Sequence, residues 1–386
     1  MLTEIRDASL HARGRERIAW ARRFMPVLGA VAGELDLTGR RVGLVLVLEP
    51  KTANLALALR DAGAEVVVTC PAGETDDETA AALVSEGVAV LARSDASPEQ
   101  DRDFALRMLR QRLDVLVDDG SRVVRLAHAA GLLDGLAGAA EETTSGLRPL
   151  RVMADRGELR IPVLAVNDAR SKYLFDNVHG TGQSCVMAAL DLTGLQLAGT
   201  VCVVAGYGYV GQGVARYARA LGARVIVTEV EPFAALRAHH EGFEVRPLLD
   251  ACPEAALVFS ATGVAHTITR EHLGAMSPGA VVAVAGGVPE EVETGDVPPG
   301  VTVLADGECV NCAAAEGNPI EIMDLSLSVQ ALAVDHLVTH GPAMAAAVHP
   351  MPGELDERIA RLKLRALGIG LDVPSALQRE FLERGL

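Results

Sequence analysis

The chain has 386 residues, 49% hydrophobic and 22% charged, with 38 Gly and 18 Pro, a globular composition too long for one core at about 150 residues per domain. Its 35 Lys and Arg against 51 Asp and Glu give a net charge of −16, which repels a phosphate backbone and excludes general nucleic-acid binding. The longest apolar runs, such as Val42 to Leu48 and Gly279 to Val288, fall short of the ~20 residues that cross a bilayer, so no membrane partner is expected. The opening Thr3-Glu4-Ile5-Arg6-Asp7 alternates in charge where a secretory signal needs a basic start and an apolar run. Six cysteines, most of them inside apolar runs, suit a reducing compartment, and a cytoplasmic address is expected. Cys309-x-x-Cys312 has the spacing of a zinc or redox pair. No second Cys/His pair stands at zinc spacing and a thioredoxin context is absent, so no metal is expected.

Arg13 to Met25 places Ile18, Trp20, Ala21, Phe24 and Met25 near helical spacing and then meets Pro26, a natural stop. Arg41 to Leu48 reads as a buried strand, Thr52 to Ala62 as a helix ended by Gly63, and Glu65 to Thr69 as a second strand. Leu113 to Val117 is a further strand, closing on Asp118-Asp119-Gly120. Acids at the carboxyl end of a strand in an open α/β sheet sit where ligands bind. The block to about residue 178 is therefore one α/β domain with its own site.

Thr200 to Ala205 feeds directly into Gly206-Tyr207-Gly208-Tyr209-Val210-Gly211, followed by a helix from Val214 to Leu221 and a strand from Arg224 to Glu229. GxGxxG alone is weak, but a strand before it, a helix behind it and an acid roughly 20 residues on make a dinucleotide turn. Gly206 permits the tight turn, Gly208 lets a pyrophosphate approach the backbone and helix N-terminus, and Gly211 allows close helix–strand packing. Glu229 accepts both ribose hydroxyls and repels a 2′-phosphate, favouring NAD over NADP; the alternative is a glycine-rich turn in a ligand-free Rossmann-like domain. Ala256 to Ser260, Ala280 to Ala285 and Val301 to Ala305 bring this fold to five or six strands. After Asn311, helices over Ile320 to Leu337 and Leu355 to Ala366 return the chain to the first domain.

Between the two series lies Asn167-Asp168-Ala169-Arg170-Ser171-Lys172-Tyr173-Leu174-Phe175-Asp176-Asn177, with Gly180-Thr181-Gly182-Gln183-Ser184 behind it. With Glu141-Glu142-Thr143-Thr144-Ser145-Gly146 and the Gly206–Gly211 turn, this resembles the S-adenosylhomocysteine hydrolase family, and the resemblance covers nearly the whole chain. It implies an α/β fold of two Rossmann-like doubly wound domains. A split substrate domain, 1–180 plus 320–386, surrounds an NAD-binding domain, 181–319, with hinges near Asn177 to Gly182 and Cys312 to Gly317. It also implies a redox cycle on bound NAD: a ribose 3′-hydroxyl is oxidised, the C4′ proton is removed, the 5′-substituent leaves, water adds, and the 3′-ketone is reduced again.

By the same resemblance, Lys172 and Asp176 hold the 3′-hydroxyl, Glu142 the 2′-hydroxyl, Asn177 lies beside them, and Asp119 serves near C4′ and C5′. Lys172 would take the hydroxyl proton if burial and cationic surroundings lowered its pKa. On the cofactor side, Thr143, Thr144 and Ser145 match a hydroxyl run at the nicotinamide, Asn311 matches the amide at the carboxamide, and Tyr209 and Val210 belong to the pyrophosphate turn. These hydroxyls can equally be caps or turn residues. Glu49, Lys51 and Thr52 are the candidate substrate-binding residues on the base side, and Asn318 is a further substrate-binding candidate. Lys51, a donor, resembles a minority family variant and opens hypoxanthine as well as adenine; it can equally be a solvated helix-start residue.

Three family histidines are replaced, by Val47, Gly287 and Asn318, and none of these side chains can do imidazole's acid–base work. His179 is the nearest substitute in sequence, at a packing position. The C-terminus lacks the Lys and Tyr with which many members reach a neighbour's NAD site, which leaves a homo-oligomer, dimer or tetramer, as the expectation. The default substrate is S-adenosylhomocysteine. The alternatives are a nucleoside 4′,5′-dehydratase or epimerase of specialised metabolism and a catalytically silent NAD-binding regulatory partner.

Overall fold

The computed structural model describes residues 2–385; Met1 and Leu386, the ends of the expected outer domain, lie outside them. The strands are β1 (Arg41–Val45), β2 (Glu65–Thr69), β3 (Ala89–Leu91), β4 (Val115–Asp118), β5 (Gly138–Glu141), β6 (Val163–Ala165), β7 (Val201–Ala205), β8 (Arg224–Thr228), β9 (Glu244–Val245), β10 (Leu257–Ser260), β11 (Val281–Val284), β12 (Thr302–Val303) and β13 (Val348–Pro350). They form two sheets, in the orders β13-β6-β5-β4-β1-β2-β3 and β12-β11-β10-β7-β8-β9. Every pairing is parallel. Helices therefore cover both faces, which is why the strands read as unbroken Val-, Ile- and Leu-rich runs rather than alternating patterns.

Each sheet reverses its strand order once, between β1 and β4 in the first and between β7 and β10 in the second. Such reversals open a crevice at the carboxyl ends of the strands. The chain leaves the first sheet after β6, builds the whole of the second, and returns through helix Ile320–His340 to lay β13 against β6.

Several boundaries differ from the sequence pattern for local reasons. β1 stops at Val45 rather than Leu48 because the chain turns there into helix Pro50–Asp61, whose proline occupies the first turn. Pro26 likewise starts a helix, Pro26–Ala32, after the first one ends at Arg22. The dinucleotide helix begins at Tyr209, not Val214, and runs to Ala220. Ala305 and Asp306 adopt left-handed backbone and cut the last strand to Thr302–Val303.

Helix Ile320–His340 continues through a short turn to Ala343, and by length and composition that span could cross a membrane, which the search for unbroken apolar runs overlooked. It is a core helix, with Asp324, Ser326, Ser328 and Gln330 buried along it. The Asp324 carboxylate accepts from the Val27 and Leu28 amides at 3.1 and 2.9 Å and pairs with Lys363 at 3.0 Å, so it caps helix Pro26–Ala32 from inside the core.

Candidate active site and cofactor cradle

The segment joining the two sheets is a helix of mixed pitch: Arg170–Lys172 is α-helical, Tyr173–Thr181 π-helical, and Gly182–Thr193 α-helical again. The wider π turn brings residues five apart onto one face. Lys172 Nζ accordingly donates to Asn177 Oδ1 at 2.9 Å, and lies 3.1 Å from Glu142 and 3.5 Å from Asp176. All four side chains are buried. Asp176 is further held by Ser326 Oγ at 2.6 Å and by the Asn318 amide. Asn177 donates to Asn167 at 3.2 Å.

This environment corrects one expectation. The surroundings of Lys172 are anionic, not cationic. Burial by itself would lower its pKa, but the Asp176 carboxylate, with Glu142 accepting a hydrogen bond from Nζ, outweighs that and raises it, so Lys172 stays an ammonium. Two buried carboxyl groups against one cation leave a surplus of negative charge. Burial, reinforced by Asp176 and Asp119, pushes Glu142 up to about 8 despite Lys172, so Glu142 holds its proton at neutral pH.

Asp119 follows β4, at the carboxyl end expected for it. Burial and the nearby Glu74 carboxylate push it up to about 6, against the opposing charges of Arg122 and Lys172. Across the first crevice, at the end of β1, Lys51 is 4% exposed, pairs with Glu49 and donates to the Glu316 carbonyl at 2.7 Å. Lys51 is therefore a buried residue of the first helical turn and not a solvated one. Burial pushes Glu49 up to about 7 against the pull of Lys51. Thr52 is buried beside them. The base-side residues and Asp119 thus flank the reversal between β1 and β4.

In the second sheet, Gly206 has φ +94°, and a Cβ there would meet Ala261 O at 3.0 Å across the β7–β10 reversal. A Cβ on Gly211 would collide with the Gly206 carbonyl, whereas the space beside Gly208 is open. Gly208 caps helix Tyr209–Ala220 without any side-chain hydrogen bond. Its first amides face the space a pyrophosphate needs. Glu229 is held by the Tyr207, Val230 and Glu231 amides at 2.6, 2.7 and 3.0 Å, which fixes its carboxylate at the end of β8. These residues fit a dinucleotide. Val210 packs into the core of this sheet, while the Tyr209 ring lies 4.5 Å from that of Tyr173 and ties the cradle to the π-helical segment.

Asn311 joins the halves: its amide donates to Ser184 Oγ and Asn318 Oδ1, both at 2.9 Å, and it accepts from Cys309 Sγ at 2.9 Å. Asn318 completes this network through Asp176 and Thr181. Thr143 is the N-cap of helix Thr144–Asp155, accepting from Gly146, so its hydroxyl does serve as a cap. Thr144 is exposed, and Ser145 faces Gly287, where a Cβ would lie 2.8 Å from its Oγ. His179 opens onto a surface groove with Trp20, Phe24 and Tyr217.

Sequence reasoning missed Ser184, Ser326, Asn167 and Glu316. Ser326 is 150 residues from the Asp176 it holds, and no local pattern marks it. Glu316 contributes a backbone carbonyl, which any residue type supplies.

An open α/β pair of sheets with an NAD cradle and a buried lysine–carboxylate cluster defines an NAD-dependent α/β enzyme. Comparison with known families agrees: the S-adenosyl-L-homocysteine hydrolase model matches residues 3–132, and the NAD binding domain model of that family matches residues 177–302. An S-inosyl-L-homocysteine hydrolase of Methanopyrus kandleri is 41% identical, over 98% of this chain and 96% of its own. Adenosylhomocysteinases of Thermotoga maritima and Aquifex aeolicus are 41% and 39% identical, over 96% and 98% of this chain and 98% of each of theirs. The chain belongs to the S-adenosyl-L-homocysteine hydrolase family and is an enzyme with NAD as its cofactor.

Proposed function

We propose that the enzyme reversibly cleaves a purine nucleoside from homocysteine at C5′, with S-adenosylhomocysteine as the default substrate. The observation that carries this is the Lys172 ammonium enclosed by Glu142, Asp176 and Asn177. NAD, when bound at Gly206 to Gly211 and Glu229, supplies reversible hydride acceptance from the ribose. Lys172 donates to the 3′-oxygen and steadies the charge that develops there. Because Lys172 is protonated and Glu142 holds its proton, the 3′-hydroxyl proton passes to Asp176. Glu142 orients the 2′-hydroxyl and Asp119 moves the C4′ proton. With Val47 and Gly287 in place of histidines, proton transfer at C5′ also falls to Asp119.

A second reading of the base is favoured by Lys51. Hypoxanthine presents an oxygen at C6 and an N1–H, matching the Lys51 donor and the Glu49 acceptor; adenine fits the same pair with its N1 on Lys51 and its amino group on Glu49. The two substrates are S-inosylhomocysteine and S-adenosylhomocysteine.

The domains on this reading are 1–180 plus 320–386 for the nucleoside and 181–319 for NAD, supported by the return of the chain to β13. A homo-oligomer is supported by the exposed apolar C-terminal arm, and a cytoplasmic address by the free thiols. Purified holoenzyme incubated with each thioether should release free thiol at a catalytic rate from at least one. Exchange of the C4′ proton without thiol release would favour the dehydratase or epimerase, and nucleosides that never reduce the cofactor would favour a silent partner.

A further inference from the structure

The turn after β4 is built at conformational cost. Gly120 and Ser121 both adopt left-handed backbone, φ +72° and +54°, and the Ser121 hydroxyl is buried with no hydrogen-bond partner. A non-glycine residue in this region costs roughly 1–2 kcal/mol, and such strain concentrates at functional sites. Two buried carboxylates hold the turn. Glu141 accepts from the Gly120 and Ser121 amides, both at 2.9 Å, and Asp118 from those of Val123 and Val124 at 2.9 and 2.7 Å.

What the turn presents is Arg122. Its guanidinium lies 2.8 Å from Glu74 Oε2, and its side chain remains 42% exposed although protein surrounds it. It therefore lines a crevice open to water. Arg122 and Glu74 both act on the charge of Asp119, and both act on Glu308, which follows the second sheet. An exposed ion pair contributes about 0–1 kcal/mol to stability, too little to explain a strained turn anchored by two buried acids.

We propose that Arg122 and Glu74 are specificity-determining residues that bind the amino-acid end of the 5′-substituent, the guanidinium taking the α-carboxylate and Glu74 the α-ammonium. The inference rests on the proposed function, in which that substituent is an amino-acid thioether. A guanidinium fork matches a carboxylate in two parallel hydrogen bonds. A neutral pair that opens onto a neutral zwitterion exchanges two charge contacts for two others, with no net charge brought into the crevice. A 5′-phosphate would meet Arg122 but bring its added negative charge against Glu74, Glu308 and Asp119. This pair, beside Asp119, sets the preference for the tail.

The test compares holoenzyme turnover of the homocysteine thioether with that of the matching 5′-methylthio nucleoside, which lacks the amino acid. In Arg122→Gln and in Glu74→Gln the preference for the homocysteine substrate should fall about 10- to 100-fold, as a rise in KM more than a loss of kcat. The double exchange Arg122→Glu with Glu74→Arg should restore part of it. A preference equal to wild type in both single variants overturns the subsite while leaving the enzyme's function intact. Wild-type enzyme that releases no thiol from the homocysteine substrate overturns the functional reading and the subsite with it.

Discussion

Lys172 sits among carboxylates, and that fixes the division of protons in the site. Removing it as Lys172→Met takes away the donor to the 3′-oxygen and leaves Asp176 buried with one partner fewer. Reduction of the bound cofactor by nucleoside, read as near-ultraviolet absorbance, should drop by ~10²–10⁴-fold. The pH profile has a sign that can be worked out from the two shifted acids. Asp119 is ionised, and able to take the C4′ proton, only above about 6, and Glu142 is neutral only below about 8. Exchange of the C4′ proton with solvent deuterium should therefore rise through pH 6 and fall through pH 8. Glu142→Gln cannot ionise and should lose the alkaline fall; Asp119→Asn should slow the exchange by ~10²–10⁴-fold while cofactor reduction persists. An alkaline fall that survives in Glu142→Gln would reassign that limb. Stability follows the same chemistry. The folded state keeps the Glu142 proton to about 8 while the unfolded chain releases it near 4.5, so the contribution of this group is full in acid and lost as pH rises to 8. Thermal melts should show Glu142→Gln gaining on wild type between pH 5 and pH 8.

The π-helical segment Tyr173–Thr181 and the dinucleotide helix Tyr209–Ala220 approach backbone to backbone. A Cβ on Gly182 would lie 2.6 Å from Gly213 Cα, and one on Gly213 would collide with the Val178 carbonyl. Gly182, at the edge of an expected hinge, thus serves close packing in this arrangement, and with Gly213 it couples the lysine-bearing helix to the NAD cradle. Gly213→Ala should cost about 1–3 kcal/mol as overpacking, measured by denaturant unfolding, with a further loss of bound NAD because Tyr173 and Tyr209 are displaced together. Stability equal to wild type would mean that the two helices separate without penalty.

At the scale of the whole molecule, polar contacts beyond the Asn311–Asn318 network and Lys51–Glu316 also link the surroundings of the two sheets. Arg148 donates to the Gly263 carbonyl at 2.6 Å and Arg17 pairs with Glu316 at 2.9 Å. From Leu367 to Gly385 the chain is exposed throughout and carries helix Ala376–Arg384, with Leu377 79% and Phe381 60% exposed. A nine-residue helix is too short to persist in water without packing, and the homo-oligomer proposed above would supply that packing for its apolar side chains. Deleting residues after Ala366 should lower the mass seen by analytical ultracentrifugation, and an unchanged mass would place the oligomer interface elsewhere.

The amino-acid sequence by itself determined the two parallel sheets, because strands buried on both faces must be apolar throughout, and the NAD turn, because its glycines, helix and acid lie within one local unit. The residues that gather around Lys172 were carried by the family resemblance of two separate motifs, not by either motif alone. Only the tertiary structure decided their charge states, since the pKa of Lys172 depends on Glu142 and Asp176 reaching it from two elements, and burial depends on everything packed outside them. It alone placed Lys51 under the Glu316 carbonyl, Ser326 on Asp176, and Arg122 beside Glu74 and Asp119. Each of these pairs joins residues separated in sequence, where no periodicity carries the information that packing does.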